Sequence, residues 1–422
     1  EHTGTVTITD TPTVAQLAAI DAATTGTISI NGGETSDPLT GTTAQVLSSL
    51  ASLSAYTGTI TITDAAGTAI QATDLADVGS RTTGTVTVSN AVAITGNHTE
   101  LTAALVTADS RVFLGGSSND ASLLLNDADG TSISATTLSN LGGQTNATVT
   151  VSNAIAITGT TTELLAALVT DTSKVIVSNA TITINDSVAT DITATDITTI
   201  HSASTGAITV INAIDIHGSA SDVAAAFSAI DNNTGNARAI INGNNYTTTQ
   251  LKNINEATTG AIILNTTNVA LAGTSSDLVE AFSGNITEHT GSVTITNNDY
   301  TTAQLKTINN ATTGMITLSN PAGALSGDST DIATAFAGTV TTHTGTVTIT
   351  NSDYTVTELV TINDATTGTI TLNTTNVNLS GTSAQLASAL AGTINYAGAV
   401  TITDAPNVAQ LKAINAGTSG AI

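Results

Sequence analysis

The stretch Asn126 to Ser132, NDADGTS, holds the residue types best suited to chemistry: Asp127 and Asp129 alternate ahead of Gly130, and Asp120 lies shortly before them. Carboxylates at alternate positions before a glycine turn offer hard oxygen ligands to a cation, part of a calcium loop. Asp120, Asp127 and Asp129 are therefore the candidate calcium ligands, although no Glu closes the loop at the usual distance. A weaker candidate of the same kind is SINGGETSD, Ser29 to Asp37. The other Asp and Asn residues at strand ends read as turn residues and helix caps.

The six histidines are His2, His98, His201, His217, His289 and His343. His2, His289 and His343 share one position, in EHTG or THTG, and copies of it recur too far apart to share a metal. They are expected to be solvated turn residues rather than ligands. HExxH, GxSxG and the P-loop are absent from the sequence, and so is GxGxxG in its required context. No pair of carboxylates stands out from the repeating background, which leaves a glycosidase without support. The chain is expected not to be an enzyme.

Composition narrows the partners. Acidic residues outnumber basic ones 32 to 7, so phosphates find no basic stripe and nucleic acid is not an expected partner. No apolar run approaches the length of a membrane span. Apolar residues reach 40% while charged residues are 9% and aromatics 2%, which predicts a folded chain with a thin aliphatic core. Cysteine is absent, so there are neither disulfides nor thiolate metal sites.

The elements that must position these residues are repeats. The glycine of TTG(T/A/M)(I/V) recurs at Gly26, Gly84, Gly206, Gly260, Gly314, Gly368 and Gly420, with Ala147 at the equivalent point. The later copies are 54 residues apart, and a fixed period of this size marks a repeat architecture. Each period has two similar halves. Strands are predicted from alternation, as in Thr5-Val6-Thr7-Ile8-Thr9, where the aliphatic residues face one way and the threonines the other.

Helices are predicted from caps. A capping residue followed three later by an acid or amide precedes thirteen segments, from Thr13/Gln16 through Asp328/Asp331 to Asn407/Gln410. Two less regular helices, near Ala72 and Ser134, bring the count to about fifteen coils of about 28 residues. The expected fold is an α/β solenoid over residues 1–422 as one continuous array. Its right-handed coils run strand, short strand and short helix, with a parallel sheet on one side and Ala-rich helices on the other. Residues 111–144 break the period and are read as an irregular coil or insertion. Both ends fall inside repeats, so the 422 residues are expected to be a window on a longer array.

Units of the form GTVTITD…VAQL..I…TTGTI resemble repeats in very large cell-surface proteins of marine picocyanobacteria, including surface proteins linked to swimming without flagella. The likeness covers most of the chain. It implies an extracellular structural or adhesive segment, acting as a rigid spacer or self-assembling into fibres or sheets, with glycans as further partners. The chain departs from that pattern in lacking the glycine- and aspartate-rich calcium nonapeptide often found near such proteins, and in its stretch 111–144. Two other functions fit a solenoid. A carbohydrate-binding or polysaccharide-active solenoid would need aromatics clustered on one face, and nine aromatics in the whole chain argue against it. A viral fibre would need an intertwined oligomer. An ice-binding threonine grid is disfavoured because the outward series is interrupted, as in AIIL and MITL.

Overall fold

The structure, a computed structural model, describes residues 1–30, 37–53, 56–115, 120–170 and 172–422. The chain divides into two compact units: Glu1–Asn212 with Ala229–Gly235, and Ala213–Ser228 with Asn236–Ile422. Each is built from repeated coils in which short strands stack in parallel and short helices follow one another.

In the second unit the coils are regular. Helices begin every 27 residues, at Thr248, Ser275, Thr302, Ser329, Val356 and Ser383. The strand Val293–Ile295 pairs in parallel with Leu271–Gly273 on one side and Ile316–Leu318 on the other. A single bridge from Ile316 to Val340 extends that column. The next column repeats it with Leu325–Gly327, Val347–Ile349, Ile370–Leu372 and a bridge at Ile394. Partners such as Val293 and Ile316 are 23 residues apart, fewer than the coil length, so each column ends after a few strands and another starts.

In the first unit the columns are longer. Leu39–Gly41, Ile60–Ile62, Val86–Val88 and Val112–Leu114 form one parallel sheet. Ala69–Gln71, Ala93–Gly96, Ser122–Leu125, Val149–Val151 and Val175–Ile176 form a second, and a third runs from Ser132–Ser134 to Asn232–Asn233. Among its described residues the stretch 111–144 thus contributes three strands and the helix Ala135–Gly142. The helix before it starts at His98, so this is the longest helix-to-helix step.

The predicted alternation sets what is buried. In Val293–Ile295 the outer two residues are buried and Thr294 is half-buried, and Ile316–Leu318 repeats the pattern. Leu305 and Ile308, on one face of the helix Thr302–Ala311, close the core from the other side. Twelve of the thirteen predicted caps form the side-chain bond to the third helical amide. Asp328 does not; its carboxylate instead accepts from the Thr350 hydroxyl of the neighbouring coil at 3.2 Å.

Nine caps also close the reciprocal bond, and all nine have Gln or Glu at the third position. With Asp there, as at Asp196 and Asp277, only the first bond forms. The side chain is one methylene too short to return to the cap backbone.

Candidate functional site

The aspartate stretch turns out to be one of three related turns. Asp64 to Thr68, Asp127 to Thr131 and Asp186 to Thr190 align, with Gly67, Gly130 and Ala189 at φ of 77°, 76° and 60°. Glycine suits that left-handed position. Asp129 accepts the Ala154 amide at 2.9 Å, and the other two turns have Ala66 and Val188 in its place. Asp120 is exposed, two residues before the strand Ser122–Leu125. Asp127 is buried and faces a different partner, His98. Among the described residues no group of three or more His, Asp or Glu side chains is gathered as a metal site requires. In SINGGETSD, residues 31–36 lie outside the described residues.

The first aspartate of each turn reaches back to the preceding coil and seizes the first residue of a helix. Asp64 accepts the Thr43 amide at 2.7 Å and its hydroxyl at 2.8 Å; Asp186 does the same for Thr161. Asp404 holds Ser383, and Asn297 and Asn351 hold Ser275 and Ser329 with the amide group both accepting and donating. A carboxylate at a helix N-terminus satisfies an orphan amide and meets the positive end of the dipole. At Asp127 the grip is modified. Its Oδ2 accepts the His98 amide at 2.8 Å, while Oδ1 lies 2.6 Å from His98 Nδ1. His98 therefore stands where its sister coils carry a threonine or serine.

A second junction is made by a buried ring. His289 and His343 are fully buried, which corrects the expectation of solvated turn residues; His2 alone of the three is exposed. His289 Nε2 lies 2.8 Å from the Val269 carbonyl and Nδ1 3.2 Å from the Thr312 hydroxyl. His343 repeats this with Gly323 at 2.7 Å and Thr366 at 3.3 Å. The rings pack against Tyr246 and Phe282, and against Tyr300 and Phe336.

Tyr56 and Tyr396 hold the same repeat position and donate their hydroxyls to the Asp37 and Val377 carbonyls. A phenol in this place is a neutral donor, so the histidines act as neutral rings donating from Nε2. Burial lowers the proton affinity of both below the ordinary histidine value. The helix end before the ring changes with it. Phe282 and Phe336 accompany histidine, whereas Leu50 and Leu390 accompany the larger tyrosine.

The third junction is the TTG segment itself. Thr82 donates to the Gly58 carbonyl at 2.7 Å while its oxygen accepts the Gly84 amide at 2.9 Å. Thr312 and Thr258 act alike on Gly291 and Ala237. At Gly314 close approach leaves no room for a side chain, since a Cβ there would lie 1.9 Å from the Gly291 oxygen, whereas one coil of the first unit accommodates Ala147 at the equivalent point. Lysines add ties between helices. Lys252 meets Asp277 and Glu280 at 3.1 and 2.5 Å, and Lys306 meets Asp331 at 2.5 Å.

Asp127, Asp129, His98, His289 and His343 thus bind one coil to the next. No protein-family model matches the chain, and no curated protein matches it in sequence. Among the described residues no helix is long and apolar enough to cross a membrane. The chain is a repetitive α/β solenoid architecture of the kind used as a structural module.

Proposed function

We propose that this chain is a structural or adhesive repeat segment of an extracellular cell-surface protein or filament. It acts as a rigid spacer or assembles with its own kind into fibres or sheets. On this reading it has no catalytic role, and its mechanism is geometric. The observation that carries the proposal is the use made of its polar side chains. Asp64, Asp127, Asp186, His289, His343 and the TTG threonines each tie a coil to its neighbour instead of converging on a ligand. A chain whose chemistry goes into fixing its own pitch is suited to bearing load. The resemblance to giant surface proteins of marine picocyanobacteria supports the extracellular setting.

Negative-stain imaging of the native material, combined with immunolabelling of intact cells, tests this. Fibres or cell-attached sheets that carry the label are expected. Compact free particles with hydrolytic activity on polysaccharides would defeat the proposal.

A further inference from the structure

We propose that the junctions closed by His289 and His343 are acid-labile locks, which open on acidification while the equivalent Tyr396 junction stays shut. Both imidazoles have no exposed surface. Each ring is enclosed by a tyrosine, a phenylalanine, a threonine hydroxyl and a backbone carbonyl, all uncharged at neutral pH. The charged groups of the adjoining elements are engaged elsewhere or exposed. Lys252, Asp277 and Glu280 pair with one another, Lys306 pairs with Asp331, Glu358 accepts from Ser329, Thr330 and Thr355, and Glu256, Glu288, Asp299 and Asp364 are exposed.

A second proton would keep both ring bonds. The Thr312 hydroxyl donates to the Gly291 carbonyl at 3.2 Å, so its oxygen would accept from a protonated Nδ1. What it would add is a buried cation with no facing carboxylate, and burial of an unpaired charge is costly. The direction of the burial effect on both rings agrees.

The sign is fixed by where the proton binds. Unfolded histidine takes it up below about pH 6.5, whereas the folded ring resists. The stability the ring contributes is therefore complete above that pH and is lost as pH falls towards the folded value. Tyrosine at the same position has no such transition on the acid side. The proposal goes beyond the structural role above and stands apart from it.

Hydrogen exchange by mass spectrometry on the full chain, at pH 7.5 and 5.0 and corrected for intrinsic rates, reads the outcome. Exchange in segments 286–294 and 339–348 is expected to rise about tenfold for each pH unit by which the folded ring resists its proton. Segment 393–400, around Tyr396, should change little. The double substitution His343→Tyr with Phe336→Leu, combined with deletion of Thr342, copies the Tyr396 junction, because Leu390 and Tyr396 are six residues apart where Phe336 and His343 are seven. It should remove the acid response at 339–348 and leave that at 286–294. Equal responses at histidine and tyrosine junctions, or an unchanged response in the variant, would overturn the proposal. Should the variant fail to fold at pH 7.5, ring NMR of the unsubstituted chain decides. Rings still neutral well below pH 6.5 support the locks, and rings titrating at 6.5 overturn them.

Discussion

Replacing Gly314 by alanine tests whether pitch is set by backbone contact between coils. The added Cβ would sit 1.9 Å from the Gly291 oxygen, 2.4 Å from its carbonyl carbon and 2.8 Å from the Thr290 oxygen. All three are backbone atoms, so no rotamer change relieves the clash, and one coil must move by about 1.5 Å to restore packing distances of about 3.5 Å. That movement stretches the Thr312 hydroxyl bond to Gly291, now 3.2 Å, and the Thr313 amide bond to His289, now 3.0 Å. Two hydrogen bonds at about 1 kcal/mol each, and overpacking at about 1–3 kcal/mol, give a cost of about 3–5 kcal/mol.

Repeat arrays need not unfold as one unit, so a urea midpoint should be paired with local hydrogen exchange. Protection around 289–318 is expected to fall about a hundredfold or more, with distant coils nearly unchanged. Gly67→Ala is the control. Gly67 has φ of 77° and open space around its Cβ position, so it should cost only about 1 kcal/mol. A Gly314→Ala chain with unaltered midpoint and local protection would refute the reasoning, and so would destabilisation spread evenly over all coils.

Asp196→Glu should gain about 0.5–1 kcal/mol in urea unfolding, because the longer side chain reaches the Thr193 amide and closes the reciprocal cap. Ala189→Gly should gain a similar amount by relieving a left-handed alanine at a position its two sister turns fill with glycine. Burial raises Tyr56, Tyr300 and Tyr396 to about 12, so their contribution is complete below pH 10 and is lost between pH 10 and 12. The urea midpoint should fall over that window and not before it. Chelation with EDTA should leave the thermal midpoint unchanged, since Asp127 and Asp129 are held by His98 and Ala154; a calcium-dependent rise would count against this account.

The elements were legible because their signals are local. Alternation in Val293–Ile295 and the cap at Thr301 with Gln304 both lie within a few residues, and the coils follow from them. The junctions were not legible in the same way. Asp64 and Thr43 are 21 residues apart, Asp127 and His98 are 29 apart, and which pair meets depends on the pitch that the coil adopts. NDADGTS suggested a cation loop because alternating carboxylates before glycine serve both purposes. Comparing it with TDAAGTA and NDSVATD shows the first aspartate recurring and the second not. The burial of His289 carried its own signal. Tyr56 and Tyr396 occupy the same place, and a position that alternates histidine with tyrosine beside phenylalanine or leucine is one that packs.

These junctions account for the composition. A core of Val, Ile, Leu and Ala with so few rings is thin, and each coil leaves its apolar edge open to the next. Aliphatic burial is non-directional and would tolerate slippage between coils. Directional bonds between coils remove that freedom, and threonine, the commonest residue of the repeat, serves in three ways. It caps helices, as Thr301 does. It fastens a carbonyl of the preceding coil, as Thr312 does. It fills the outward strand position, as Thr294 does. Exact spacing matters in the second role: the hydroxyl must meet a carbonyl in the neighbouring coil while its own oxygen accepts the amide two residues on. A serine can replace it there, as Ser204 does against Ala180, because the hydroxyl is what the junction uses. The repeated sentence in this sequence is therefore a repeated joint, and variation is tolerated where it preserves the donor.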